Sequence, residues 1–192
     1  MSSSSRNDPR QKIVFLDRDG VINRDSPAYI KKPSEFVFLP GSLSALVRLS
    51  REGFSLFVVT NQSVINRQMV TLDTLGRIHA KMTTAVEKAG GVIRDIFFCP
   101  HRPEEGCRCR KPGIGLIEAA EKKYRFRAGT AAMVGDSARD VECAARAGCR
   151  CKILVGTGNI ETARRQLAGR GVAPDRITAD LAEAADWLID HF

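Results

Sequence analysis

Ile13-Val14-Phe15-Leu16-Asp17-Arg18-Asp19-Gly20-Val21 decides the fold. Its first four residues form a short continuous apolar run, the pattern of a strand buried on both faces. The run ends in two carboxylates one residue apart. Carboxylates at the end of a buried strand repel one another and lose hydration, so they need a compensating cation. A hard divalent ion such as Mg²⁺ suits them, because it binds oxygen and takes only one or two protein carboxylates. One carboxylate is then able to act as a nucleophile and the other as an acid/base, which is the equipment for passing a phosphoryl group through an aspartyl-phosphate. Asp and Gly are also common in turns, so this stretch alone does not choose between a turn and a catalytic centre.

Outward from it, apolar runs and helical periodicities alternate. Strands are expected at residues 12–16, 55–60, 93–98, 131–134 and 152–155, with a weak extra strand at 176–178. Helices are expected at 42–52, 72–89, 114–125, 138–147, 160–168 and 181–189. This alternation predicts an α/β fold, a doubly wound parallel sheet with helices on both faces. Such sheets bind ligands beyond the C-terminal ends of their strands, where strand order reverses. Polar groups recur there: Asp17 and Asp19 after the first strand, Thr60-Asn61-Gln62-Ser63 after the second, and Gly135-Asp136-Ser137 with Asp140 after the fourth. Independent turns would not repeat that combination so regularly.

The second strong signal is Cys99-Pro100-His101 followed by Cys107-Arg108-Cys109, a C-x-H-x5-C-x-C spacing. Three thiols and one imidazole so close together match a tetrahedral zinc site. All four positions are filled by protein, so the Zn²⁺ is expected to be structural. The polar stretch at residues 102–106 cannot bury a core of its own, and a metal explains how it is ordered. Cys143, Cys149 and Cys151 lie on or beside apolar elements and read as core thiols. Directly after the clamp, Arg110 and Lys111 are held near the sheet edge, where a lysine can neutralise phosphate oxygens. Pro112 is expected to open the helix near Ile114. His79 reads as a surface or packed histidine rather than a catalyst, and Trp187, Leu188 and Ile189 as core packing.

The bulk properties bound the rest. The 192 residues suffice for one core with a small insertion, and 43% hydrophobic content supports folding. A domain spanning 11–192 is expected, preceded by a disordered leader at 1–10 whose serines surround no apolar centre. No apolar run approaches the ~20 residues of a membrane helix, so a cytoplasmic protein without membrane contact is expected. The net charge of +8 points to an anionic partner, and with the basic cluster at 108–111 it also fits a zinc-clamped nucleic-acid binding module. The absence of a basic stripe interleaved with aromatic residues counts against nucleic acid.

Asp17-x-Asp19-Gly20-Val21, Thr60, Lys111 and Gly135-Asp136-x3-Asp140, in that order, resemble the motifs of the haloacid dehalogenase superfamily of phosphotransferases. The zinc clamp narrows the resemblance to a zinc-bearing branch whose members act on heptose bisphosphate or histidinol phosphate. Residues 17–23, Glu35-Phe36-Val37-Phe38-Leu39-Pro40-Gly41, Val59-Thr60-Asn61-Gln62-Ser63, Arg77-Ile78-His79 and Met82 are similar to the heptose type. The five-residue gap inside the clamp is nearer the histidinol-phosphate type. The chain departs from the heptose pattern at Ser63-Val64-Ile65-Asn66-Arg67-Gln68, which lacks two glycines, and at Ser137, where a lysine often stands.

The resemblance implies a Rossmann-like sheet with a small zinc loop at 99–109 and no large cap. It implies a cytoplasmic, monomeric, Mg²⁺-dependent phosphatase that removes the C7 phosphate of D-glycero-D-manno-heptose 1,7-bisphosphate in lipopolysaccharide biosynthesis, with histidinol phosphate as the alternative substrate. Asp17 is implied as nucleophile and Mg²⁺ ligand. Asp19 is implied as acid/base and as a metal ligand through its carbonyl. Asp136 is implied as a further metal carboxylate supported by Asp140, and Thr60 and Lys111 as phosphoryl-binding groups. Arg110, Asn61, Gln62, Ser63 and the loop starting at Asp25 are implied in substrate binding, and Cys99, His101, Cys107 and Cys109 in holding Zn²⁺.

Overall fold

The structure is a computed structural model and describes residues 11–192; the leader expected at 1–10 lies outside them. Six strands, β1 (Ile13–Leu16), β2 (Ser55–Asn61), β3 (Ile93–Cys99), β4 (Ala131–Gly135), β5 (Cys151–Val155) and β6 (Arg176–Thr178), form one sheet in the order β3-β2-β1-β4-β5-β6. Every pairing is parallel. The weak strand at 176–178 joins the sheet as its edge, with Ile153 opposite Arg176 and Val155 opposite Thr178.

Side chains alternate along the strands as a period of two requires. Val14 and Leu16 enter one core, with Leu56, Val58 and Val134. Ile13 and Phe15 enter the opposite core, with Phe57, Val59 and Met133. The first core is closed by α1 (Ser42–Arg51), α2 (Leu72–Lys88) and α6 (Leu181–His191), through Leu46, Ile78, Met82 and Leu188. The second is closed by α3 (Gly115–Tyr124) and α4 (Ala138–Ala147), through Ile117, Ala120 and Ala144. α5 (Ile160–Ala168) seals α4 and Leu154 through Ala163 and Leu167.

Polar residues set where the helices begin. Thr71 accepts a hydrogen bond from the Thr74 amide, Asn159 from Thr162, and Asp180 from Glu183. Cys143, Cys149 and Cys151 are buried core thiols. Leu188 is fully buried, whereas Trp187 is half-buried and stacks on His191 with ring centres 4.4 Å apart.

The helix expected from Ile114 begins one residue later, at Gly115, but Pro112 does not open it. Pro112 follows a cis peptide in a turn where the Gly113 amide donates to the Arg110 carbonyl at 2.7 Å, and α3 begins only at Gly115. The carbonyl of Arg108 takes the Gly115 amide, closing the loop at residues 110–114 between clamp and helix. Other element ends shift by one or two residues, the usual fraying margin.

From β1 the chain runs outward to β2 and β3, then returns to the other side of β1 for β4. The strand order therefore reverses between β1 and β4, and a crevice opens beyond their C-terminal ends. There the Asp17 amide donates to the Val134 carbonyl at 3.0 Å, tying the end of β1 to the end of β4.

Candidate active site

The crevice is a cavity of about 390 Å³ whose walls include Asp17, Asp19, Thr60, Lys111 and Asp136. Lys111 sits at its floor, 2% exposed, with Nζ 2.9 Å from Asp17 Oδ2 and 2.6 Å from Asp140 Oδ1. Asp140 caps α4, its Oδ2 accepting from the Ser137 amide and hydroxyl. The ammonium reaches this position because Asn61, at the end of β2, grips the Lys111 backbone. Asn61 Oδ1 accepts from the Lys111 amide at 3.0 Å, and its Nδ2 donates to the Lys111 carbonyl at 3.2 Å.

Charge at this centre is unequal. Asp17, Asp136 and Asp140 each bring a carboxylate oxygen within 4.8 Å of the others, against the single ammonium of Lys111. Burial pushes the Asp17 carboxyl up to about 7, with Lys111 acting against it. Burial, then Asp17 and Asp140, pushes Asp136 up to about 8. At Asp140 burial also opposes ionisation, but Lys111 outweighs it and holds that carboxyl below its ordinary value. The surplus negative charge at Asp17 and Asp136 fits a bound divalent cation, which restores balance without a new side chain.

Gly20 is required here twice over. Its φ is +80°, and a Cβ on it would lie 2.1 Å from Asp136 Oδ2. The Asp136 carboxylate therefore occupies the space that any larger residue at position 20 would fill.

Asp19 lies in a different setting. Burial works to raise its carboxyl, but Arg18, with hydrogen bonds from Asn23 and Gln62, outweighs burial and holds it below its ordinary value. Gln62 Nε2 also donates to Thr60 Oγ1 at 2.8 Å. The Thr60 hydroxyl is thereby an acceptor toward Gln62, and its own proton is free for a ligand oxygen.

Beside this centre stands the thiol clamp. Cys99 at the end of β3, His101, Cys107 and Cys109 bring four donor atoms within 4.8 Å of one another. His101 Nδ1 faces the sulfurs, 3.5 Å from Cys99 and 3.3 Å from Cys109. The sulfur–sulfur separations are 3.2–3.5 Å, close to the ~3.8 Å edge of a tetrahedron around zinc with sulfur about 2.3 Å from its centre. Burial pushes the Cys99 thiol up, so its thiolate needs a cation at its side, and a metal bound by the four donors would supply it.

Arg110, directly after Cys109, donates through Nη1 to the His101 carbonyl at 3.0 Å and reaches the cavity. Ser63 and Asp25 line the same cavity, and Asp25 is exposed on the loop between β1 and α1.

Some residues of the site carried no signal in the sequence reading. Arg18 and Asn23 hold Asp19, and Arg67 and Arg139 line the cavity with Arg110. Arg18 could have been found from its place inside the apolar-to-acidic junction, where a buried guanidinium must pair. The basic cluster at 108–111 is not one exposed patch: Lys111 is buried in ion pairs, Arg110 lines the cavity, and exposed Arg108 pairs with Glu118.

The chain belongs to the haloacid dehalogenase-like phosphatases, a group of phosphoric monoester hydrolases. Residues 108–184 match the family model described as HAD-hydrolase-like. The chain is 43% identical to the D-glycero-beta-D-manno-heptose-1,7-bisphosphate 7-phosphatase of Bordetella bronchiseptica, over 94% of this chain and 99% of that protein. It is 45% identical to the Pseudomonas putida protein of the same name, over 78% of this chain and 85% of that one. The crystal structure of D,D-heptose 1,7-bisphosphate phosphatase from B. bronchiseptica, complexed with magnesium and phosphate, superposes with a TM-score of 0.87 at 42% identity, covering 95% of this chain and 100% of that one. Among the described residues no helix is long and apolar enough to cross a membrane.

Proposed function

We propose that this protein is a Mg²⁺-dependent phosphatase that removes the C7 phosphate of D-glycero-D-manno-heptose 1,7-bisphosphate. The observation that carries the reading is the composition of one cavity. It holds the buried Asp17–Lys111 pair and also Arg67, Arg110 and Arg139, which have no carboxylate partner among the described residues. Burial, and then the charges of Arg139 and Arg67, hold Arg110 below its ordinary value. Cations crowded at that cost suit a substrate with a second phosphate. The heptose names of the relatives point the same way.

Asp17 is the nucleophile: a carboxylate oxygen attacks phosphorus, and the bond to the sugar C7 oxygen breaks. Asp19 gives that oxygen its proton. In the second half Asp19 takes a proton from water, which attacks the aspartyl-phosphate and releases Asp17 and inorganic phosphate. Lys111 and Thr60 hold the phosphoryl oxygens throughout. Asp17, Asp136 and the Asp19 carbonyl would hold Mg²⁺, with Asp140 supporting them through Lys111 and Ser137. When bound, the ion neutralises charge on the carboxylates and the phosphoryl group.

Gln62, Ser63 and Asp25 contact the sugar, whereas Asn61 contributes by fixing Lys111. Cys99, His101, Cys107 and Cys109 hold a structural Zn²⁺. The unit is the stretch 11–192, acting as a monomer. Six free thiols suit a reducing, cytoplasmic setting and a place in lipopolysaccharide precursor synthesis.

Phosphate release with Mg²⁺ from the heptose bisphosphate and, in parallel, from histidinol phosphate tests this reading, with Asp17→Asn as the blank. Marked preference for the heptose is expected. Preference for histidinol phosphate, or turnover by the blank, contradicts it.

A further inference from the structure

Arg18 lies between the nucleophile and the acid/base, and it is 1% exposed. A guanidinium this buried has to satisfy its donors inside the protein. Nη2 donates to both oxygens of Asp19 at 2.8 Å, and Nε donates to Oδ1 at 3.2 Å. The remaining terminal nitrogen, Nη1, lies 3.4 Å from Nε2 of His79 on α2. Guanidinium offers donors only, so Nε2 must present its lone pair and the imidazole is neutral, with its proton on Nδ1. His79 is itself fixed, buried on its helix with its ring edge-on to Phe98 at 5.9 Å.

Asp19 is gripped from its other sides as well. Asn23 Nδ2 donates to Oδ1 at 2.9 Å, and Gln62 Nε2 donates to Oδ2 at 2.8 Å. A chain of contacts thus runs from α2 through His79 and Arg18 to the carboxylate that serves both halves of the reaction. Such a carboxylate must meet the leaving oxygen first and a water molecule afterwards at one place, and small misplacement is costly. Only a planar, two-pronged cation fixes the direction of a carboxylate as well as its charge.

We propose that Arg18 is a positioning residue for Asp19, and that His79 locks Arg18 in place by accepting from Nη1. The inference rests on the acid/base role of Asp19 given under Proposed function. The arrangement assigns work to a histidine that the chemistry of the cavity does not otherwise use.

The test compares kcat/KM for the heptose bisphosphate, whose alkoxide leaving group needs a proton, with kcat/KM for 4-nitrophenyl phosphate, whose leaving group departs without one. This ratio covers the steps through leaving-group departure and excludes hydrolysis of the aspartyl-phosphate. Arg18→Lys keeps the charge and loses the fork, and His79→Leu removes the acceptor. Each is expected to lower kcat/KM for the sugar phosphate by about 10²-fold and to leave the aryl phosphate nearly unchanged. His79→Gln keeps a neutral acceptor and should retain most of the activity.

Equal losses on both substrates, or no loss on either, overturn the proposal. If Arg18→Lys fails to fold, the contrast between His79→Leu and His79→Gln decides the same question. Asp19→Asn separates the two levels. A loss confined to the sugar phosphate in Asp19→Asn, with an unselective loss in Arg18→Lys, removes the positioning role alone. Equal loss on both substrates in Asp19→Asn removes the acid/base reading and the positioning role with it.

Discussion

The carboxylate centre and the thiol clamp sit side by side at one sheet edge, yet they are built on opposite principles. At the clamp, Cys99, His101, Cys107 and Cys109 face only each other and leave no position open. At the centre, Asp17, Asp136 and Asp140 outnumber Lys111, and the excess opens into the cavity. A closed set of donors stabilises a loop; an unequal, open set leaves charge available for chemistry. The clamp serves the centre by geometry, because Cys109 immediately precedes Arg110 and Lys111.

The sharpest way to break this contrast is at Asp17. Asp17→Asn is expected to lower turnover by at least ~10³-fold while the zinc content and the melting transition persist. Steady-state phosphate release and metal analysis of the same sample check both halves. Lys111→Met should affect both properties, because it leaves Asp140 buried without its partner. Its expected cost is about 3–5 kcal/mol of stability alongside loss of activity, read from urea unfolding and phosphate release.

Cys107→Ser attacks the other region. The variant should purify without zinc and melt about 6–12 °C lower, equivalent to about 3 kcal/mol in a chain of this size. Unchanged melting with no zinc bound would mean that the loop needs no metal.

The two regions should also differ in their response to pH. Asp17 and Asp136 are raised to about 7 and about 8 in the folded protein, against 3.8 ordinarily. The metal-free folded state therefore holds protons that the unfolded chain releases, and stability falls as pH rises from about 4 to about 8. Mg²⁺ should raise the melting temperature more at about pH 8 than at about pH 5, and should release protons on binding. An equal Mg²⁺ effect at both pH values would contradict the unequal charge at the centre. The smallest effect is expected from Arg108→Ala: its partner Glu118 is a surface one, and melting should stay within about 2 °C.

Much of this is legible in the sequence, and for definite reasons. Strand burial and alternation are local properties, so residues 13–16 announced both β1 and the carboxylates at its end. Thiol spacing is local too, and it placed the clamp. The use of Asn61 was not legible, because its partner Lys111 lies fifty residues away and only the fold brings them together. Arg67, from the loop after β2, and Arg139, from the first turn of α4, meet in the cavity for the same reason. His79 could be recognised as packed, but its contact with Arg18 depends on how α2 lies across the sheet. Pro112 shows the converse: a proline just ahead of a helix suggests its opening turn, while backbone hydrogen bonds form a separate turn there.

The central claim is that Asp17 carries the phosphoryl group. Rapid acid quench of enzyme turning over the heptose bisphosphate with Mg²⁺, followed by peptide mass mapping, tests it most directly. The account predicts one added phosphoryl group on the peptide containing Asp17, absent from Asp17→Asn. A phosphoryl group on a different residue, or full single-turnover hydrolysis by Asp17→Asn, would contradict it.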